Sequence, residues 1–250
     1  MKRSGKLDIK RPNGTVSERR WYLDDELHRV DGPAWIKYDE RGWPTEELWF
    51  MHGQYHCEDG PAVVKYHDNS GTVKVMKWYL RGQVHRHDDG PAASEFFPNG
   101  DLRGEEYYLF GNLHRLDGPA LVKYHANRSK MEERWLLYGK LHRDDGPASV
   151  AYREDSTKFA EAWYTHGKKH RVGGPAVIQF YPDGRHAREE VWYTQNIMDR
   201  TDGPAKVSYR QDGHVVREEF FLNGRQISYA DWYTAVFEEA AAFEFVPVGL

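Results

Sequence analysis

The residues best suited to chemistry in this sequence stand in one recurring string, His-Arg-x-Asp-Gly-Pro-Ala. It is intact from His28-Arg29-Val30-Asp31, from His114-Arg115-Leu116-Asp117 and from His142-Arg143-Asp144-Asp145, and a copy with one extra residue runs from His85 to Asp89. Elsewhere it decays: Cys57 replaces the Arg, Gly173 the Asp and Asp199 the His. Histidine beside a carboxylate is suited to proton transfer or metal ligation. Both uses require groups converging on one point, whereas this string recurs along the whole chain. Equivalent residues of adjacent hairpins lie about 9–10 Å apart, and zinc holds its ligands at about 2 Å. The string therefore reads as a turn brace, with Asp31, Asp117 and Asp145 accepting backbone N–H groups. Arg29, Arg115 and Arg143, with His28, His114 and His142, link to the neighbouring hairpin. Six similarly placed histidines (His28, His56, His85, His114, His142, His170) leave room for a pH response. His142-Arg143-Asp144 spells the start of a kinase catalytic loop, but the Gly-rich loop and Asp-Phe-Gly segment are missing. No catalytic, cofactor or metal site is assigned, and the chain is not expected to be an enzyme.

The elements that carry the string repeat with it. Gly-Pro-Ala begins at Gly32, Gly60, Gly90, Gly118, Gly146, Gly174 and Gly203, at intervals of 28 to 30 residues. An aromatic pair or near equivalent starts at Trp21, Trp49, Trp78, Tyr107, Trp135, Trp163, Trp192 and Phe220, in steps of 28 or 29. Two markers keeping one period define a repeat protein.

One unit shows the design. Ala176–Phe180 alternates like a strand, Pro182-Asp183-Gly184 favours a tight turn, and Glu189–Thr194 returns as a second strand. The units at Asn127-Arg128-Ser129 and Asp155-Ser156-Thr157 lack the turn glycine and are expected to turn differently. The fold class expected is all-β: an elongated single antiparallel sheet, or solenoid, of stacked β-hairpin repeats. It has seven to eight units over residues 1–227, with about 16 strands spanning on the order of 75 Å. A propeller is the rival, but its blades need about 40 residues each. Ala34, Ile36 and Tyr38 share one face and Lys37, Lys65 and Lys123 the other. Glu47, Glu105, Glu133, Glu161, Glu190 and Glu218 form an acidic row expected to pair with Lys and Arg of neighbouring strands.

Residues 228–250 depart from the repeat. Ser228 and Asp231 suggest a helix N-cap, and Tyr229, Tyr233, Phe237 and Ala241 fall at steps of four, predicting an amphipathic helix over 229–243. Such a helix caps the last sheet edge. Its alternative role is docking, for which Trp232, Tyr233, Phe237 and Phe243 are the candidate partner-binding residues.

Composition narrows the function. Across 250 residues, 35 Lys+Arg face 39 Asp+Glu, a net charge of −4, which disfavours binding nucleic acid or anionic lipid by bulk charge. One cysteine, Cys57, excludes an internal disulfide and a multi-thiolate zinc site. No signal-like or membrane-spanning stretch is present, so a cytoplasmic location is expected.

At Phe96-Phe97-Pro98-Asn99-Gly100, Glu106-Tyr107-Tyr108-Leu109-Phe110-Gly111 and Asp117-Gly118, the sequence resembles the variant membrane occupation and recognition nexus (MORN) repeat. Tyr181–Gly184 with Trp192-Tyr193, and Phe220–Gly224, carry the same pattern. The resemblance covers about residues 6–227, with a divergent 28–30-residue unit. It implies a hairpin-stacked scaffold for protein interaction or assembly, sometimes with phosphoinositide contacts. The variant repeat also occurs in bacterial proteins labelled antitoxins and in large DNA viruses and phages. The function expected is a non-enzymatic interaction scaffold or neutralising module with a protein partner and no cofactor. The alternative is a membrane-surface or phosphoinositide-binding module using the lysine column.

Overall fold

The computed structural model describes residues 2–238. The chain divides into two compact units, residues 1–139 and 140–250, built alike. In the first, an antiparallel sheet runs in chain order through Gly5–Lys10, Val16–Leu23, Trp35–Tyr38, Pro44–Leu48 and Val63–Tyr66. It continues through Val73–Lys77, Ala93–Phe96, Leu102–Glu106, Leu121–Tyr124 and Lys130–Arg134. In the second, Ser149–Tyr152, Lys158–Ala162, Val177–Phe180, Ala187–Val191, Lys206–Tyr209 and Val215–Leu222 pair in the same order. The fold is all-β, made of sequential hairpins, and the repeat architecture is as the two rulers require.

Between the first and last hairpins, whose strands Val16–Leu23 and Val215–Leu222 run on through the aromatic pair, the second strand of the repeat is shorter than expected. Glu189–Thr194 is not continuous: the sheet strand ends at Val191, and a two-residue strand, Tyr193–Thr194, begins beyond Trp192. The backbone of the aromatic residue explains the break. Trp192 donates its N–H to the Ala205 carbonyl at 2.8 Å, and its own carbonyl accepts from the Asp199 N–H at 3.3 Å. Trp21, Trp49, Trp78, Tyr107 and Trp163 make the same pair of bonds. At all of these but Trp21, where the strand continues to Leu23, the chain leaves the sheet for a small ribbon such as Phe50–Met51 with Gln54–Tyr55, or Tyr79–Leu80 with Gln83–Val84.

The hairpin turns also differ from expectation in one respect. Arg128 and Ser156 adopt left-handed φ of 69° and 67°, the conformation glycine supplies in the other units. Their N–H groups reach the His125 and Arg153 carbonyls at 3.0 and 2.9 Å, as Gly100 reaches Phe97. The turn is therefore the same, clasped by a side chain: Asp155 Oδ1 accepts from the Thr157 N–H at 2.9 Å. Register shifts by one residue beside each of these turns, as between Lys65 and Tyr66, which is the bulge that a left-handed residue creates.

The interior is shallow. The alanine of Gly-Pro-Ala is fully buried in each repeat (Ala34, Ala62, Ala120, Ala148, Ala176 and Ala205 at 0 % exposure). No large side chain is completely buried among the described residues. Ala34 clusters with Leu48, Phe50 and Val63, under Leu27, Trp35, Tyr55 and Tyr79.

The acidic row is satisfied differently from the expected Lys and Arg pairing. Glu47 lies between Ile36 and Val64 and accepts from the Tyr66 hydroxyl at 2.7 Å. Tyr124 donates to Glu105 at 3.2 Å and Tyr209 to Glu190 at 2.7 Å. Only Glu133 and Glu161, both buried, take lysines, from Lys130 and Lys158. The tyrosine 19 residues further on, in the next hairpin, lies within reach of Glu47, Glu105 and Glu190, whereas Glu161 has Phe180, without a hydroxyl, at that place. Burial, then the adjacent Glu105 charge, pushes the Tyr124 phenol up to about 12. Burial and the Glu47 and Glu190 carboxylates raise Tyr66 and Tyr209 in the same direction.

At the C-terminal end, Ser228 caps the helix Tyr229–Tyr233 by accepting the Asp231 N–H at 3.1 Å. The α-helix is shorter than predicted and passes into a π-helix at Thr234–Glu238, where β-branched Thr234 and Val236 weaken α-helical propensity. Trp232 is 5 % exposed, packs 5.1 Å from the Phe220 ring and donates its indole N–H to the Arg200 carbonyl at 3.0 Å. It caps the last strand and is not available to a partner. Tyr233 and Phe237 are exposed, and Phe243 lies outside the described residues.

Two outcomes follow from the turn and the tyrosine column. Ser156→Gly relieves a left-handed conformation that costs a non-glycine residue about 1–2 kcal/mol, offset in part by glycine's unfolded-state entropy. Urea unfolding should show a net gain of about 0.5–1 kcal/mol. Phenols raised in the folded state contribute stability that is complete below pH 10 and lost as pH rises towards 12. Tyrosinate absorbance should therefore appear together with unfolding in that window, and Tyr124→Phe should lessen the alkaline loss.

Candidate functional site

The loops carrying the His-Arg-x-Asp-Gly-Pro-Ala string are the sites with the most polar chemistry, and each begins with the arginine. Arg29 lies over the Trp21 ring at 4.1 Å, Arg86 over Trp78 at 4.3 Å and Arg115 over Tyr107 at 4.0 Å. In the second unit Arg171 covers Trp163 at 3.9 Å and Arg200 covers Trp192 at 4.0 Å. The guanidinium is closed from the other side by the glycine of Gly-Pro-Ala. A Cβ there would stand 2.9 Å from the Arg29 Cζ at Gly32, 2.6 Å from that of Arg86 at Gly90 and 3.1 Å from that of Arg115 at Gly118. The glycine is required by this close approach. Arginine fits the slot because its planar cation stacks on an aromatic ring while its edge donates hydrogen bonds.

That edge bonds within its own loop. Arg29 Nε donates to Asp31 at 2.8 Å, Arg115 to Asp117 at 3.1 Å, Arg143 to Asp145 at 2.7 Å and Arg200 to Asp202 at 2.6 Å. A second guanidinium nitrogen reaches the Pro33 and Pro204 carbonyls at 3.4 and 3.2 Å. The arginines thus fold back on their own repeat, where a link to the next hairpin was expected, and the aspartates pair first with arginine. The guanidinium hydrogen bond, then its charge, holds the Asp31 and Asp145 carboxyls below the usual value.

Histidine makes the inter-repeat link. His28 Nδ1 accepts the His52 N–H at 3.2 Å, His114 that of Tyr138 at 3.2 Å and His142 that of His166 at 3.4 Å. The rings of the same pairs stand 4.5, 4.3 and 4.3 Å apart. Asp199 substitutes a carboxylate, accepting the Asn223 N–H at 2.8 Å. The residues so held are ribbon tips in left-handed conformations, such as Tyr138 at φ 48°. The tip Phe110, at φ 44°, is held by the His85 ring through stacking alone, at 4.5 Å, with the His85 Nδ1 left without a partner among the described residues. Such φ values strain bulky residues, and stacking on the preceding histidine offsets the strain. Sequence reasoning did not single out these tips; the signal was a large residue before glycine, as in Phe110-Gly111 and Tyr138-Gly139.

What remains for recognition is the position between Arg and Asp. Val30, Leu116 and Val172 are 80 to 86 % exposed, and Asp144, 3.5 Å from the His142 Nε2, keeps its side chain 92 % exposed. Open grooves lie beside these residues. One of about 580 Å³ separates the loops at His85–Asp89 and His114–Asp117, over Tyr107 and Tyr108. Another of about 310 Å³ separates Cys57–Pro61 from His85–Asp88. On the opposite sheet face the lysine column is neutralised: Lys37 and Lys65 bracket Glu46 at 2.8 and 3.0 Å, and Lys123 faces Glu132 at 3.7 Å. Burial alone would raise the Glu46 carboxyl, but the two ammonium groups outweigh it and hold it below the ordinary value. Among the described residues, no three of His, Cys, Asp and Glu converge as metal ligands.

No protein-family profile and no curated protein matches the chain. Among solved structures there is a similarity to an alternansucrase in complex with isomaltononaose, 10 % identical, with a TM-score of 0.21. It spans 89 % of this chain and 16 % of that one, and a likeness this weak bears on neither fold nor activity.

Gly118→Ala should push on the Arg115 guanidinium and destabilise by about 1–3 kcal/mol through overpacking. Gly60→Ala meets only the Cys57 Sγ at 3.8 Å and should be neutral or stabilising by up to about 1 kcal/mol. Paired thermal and urea unfolding of the two variants checks the contrast.

Proposed function

We propose that this chain is a non-enzymatic protein-interaction scaffold whose loops present a variable residue on a fixed frame. The observation that carries this reading is the division of labour within the string. His, Arg, Asp, Gly and Ala engage their own or the next repeat, while Val30, Leu116, Asp144 and Val172 project outward. A solvated side chain at one fixed place in each loop, apolar at Val30, Leu116 and Val172 and charged at Glu58 and Asp144, suits contact with a second macromolecule. An antitoxin-like or viral neutralising role is a special case of this reading, with one defined target. The membrane-surface alternative has less support, since the lysine column is matched by Glu46 and Glu132 and the net charge is −4.

A combined Val30→Ser, Leu116→Ser and Val172→Ser variant tests the loops. It should keep the wild-type melting temperature and lose the partners recovered from wild-type pull-downs by mass spectrometry. Full retention of those partners would overturn the assignment. Liposome co-sedimentation that disappears on charge reversal of Lys37, Lys65 and Lys123 would transfer it to the membrane reading.

A further inference from the structure

One repeat of the first unit has every part of the arginine slot except the arginine. Its ring is Trp49, its carboxylate Asp59, its carbonyl that of Pro61 and its covering glycine Gly60. These occupy the positions held around Arg29 by Trp21, Asp31, Pro33 and Gly32. The same set surrounds Arg200, as Trp192, Asp202, Pro204 and Gly203. In this repeat the arginine position is Cys57, a half-buried free thiol.

The replacement shortens the side chain and leaves its surroundings intact. A Cβ on Gly60 would find only the Cys57 Sγ, at 3.8 Å, where the arginine-bearing repeats place guanidinium carbon at 2.6 to 3.1 Å. Among the described residues, no cation covers the Trp49 ring, and neither Asp59 nor the Pro61 carbonyl receives a side-chain donor. The backbone around the slot keeps the common arrangement: Trp49 donates to the Ala62 carbonyl at 2.8 Å and accepts from His56 at 3.1 Å. The groove of about 310 Å³, walled on its far side by Trp78 and the His85–Asp88 loop, brings solvent to Cys57, Asp59, Gly60 and Pro61, the edge of the slot away from the Trp49 ring.

We infer that the Trp49–Asp59–Gly60–Pro61 slot binds a guanidinium group supplied from outside the chain, either as a free arginine-like molecule or as an arginine side chain of a protein. The equivalent ring, carboxylate and carbonyl already hold the guanidinium of Arg29, Arg86 and Arg200, so the chemistry is that of the protein's own frame. Lysine matches it poorly, because a compact ammonium cannot both stack flat on indole and reach carboxylate and carbonyl along one edge. The inference stands apart from the scaffold reading, because a small molecule can test it.

The test follows the Trp49 indole N–H resonance of the full chain, assigned with Trp49→Phe, during titration with N-acetyl-arginine amide. A saturable shift at millimolar concentration is expected, at least about fivefold weaker for N-acetyl-lysine amide. Cys57→Arg fills the slot internally and should abolish the shift while raising the melting temperature. Asp59→Asn, at an exposed position, keeps the fold and should weaken binding by about threefold. A Gly-Ser-Arg-Ser-Gly peptide binding more tightly than the capped amino acid assigns the slot to protein arginines, and equal affinity assigns it to the group alone. Absence of any shift, equal response to lysine, or binding retained in Cys57→Arg would overturn the inference.

Discussion

A cation held between an aromatic ring and a bare glycine is the interaction around which most of the repeats are built. Arg29, Arg86, Arg115, Arg171 and Arg200 each rest on a Trp or Tyr, with a Gly-Pro-Ala glycine close behind. The stack fixes three things together. It sets the distance between the loop and the sheet, shields a ring that would otherwise face water, and explains why glycine stands at positions whose φ does not demand it. The exposed Arg–Asp pair adds little by itself, so the carboxylate serves mainly to orient the guanidinium.

From that anchor the remaining contacts form a chain of neighbour-to-neighbour dependencies. The ring residue turns the strand out of the sheet by bonding to the next buried alanine, as Trp78 does to Ala92. The ribbon so produced projects its tip onto the histidine of the preceding loop. That tip is strained at Phe110 and Tyr138, and it persists because ring stacking holds both and an imidazole acceptor holds Tyr138 as well. Structure specific to the repeat is therefore concentrated at its boundary, whereas the strands between follow ordinary alternation.

How much of this was legible in the sequence depended on whether the signal was periodic or conformational. The spacing of Gly-Pro-Ala and of the aromatic residues disclosed the repeat and its hairpins, because side-chain alternation and turn glycines are written directly in residue types. The identity of Arg29 and Asp31 as bracing residues was also readable, but not their direction, since nothing in the string says that the guanidinium folds back onto Trp21. The break at Trp192 was hidden because tryptophan suits a strand as well as a bend. Left-handed Arg128 and Ser156 ran against the residue preferences on which turn prediction rests. The helix after Ser228 was recognisable from its cap and spacing, but its passage into a wider turn at Thr234 was not.

The alanine column carries a thermodynamic consequence. Since the buried positions shared by all repeats are methyl groups, and no bulky side chain is wholly enclosed among the described residues, melting exposes comparatively little hydrocarbon per residue. The heat-capacity increment, which scales with newly hydrated apolar area, is correspondingly small. A shallow free-energy curve follows, so this fold trades a high maximum for stability that varies little between cold and warm conditions.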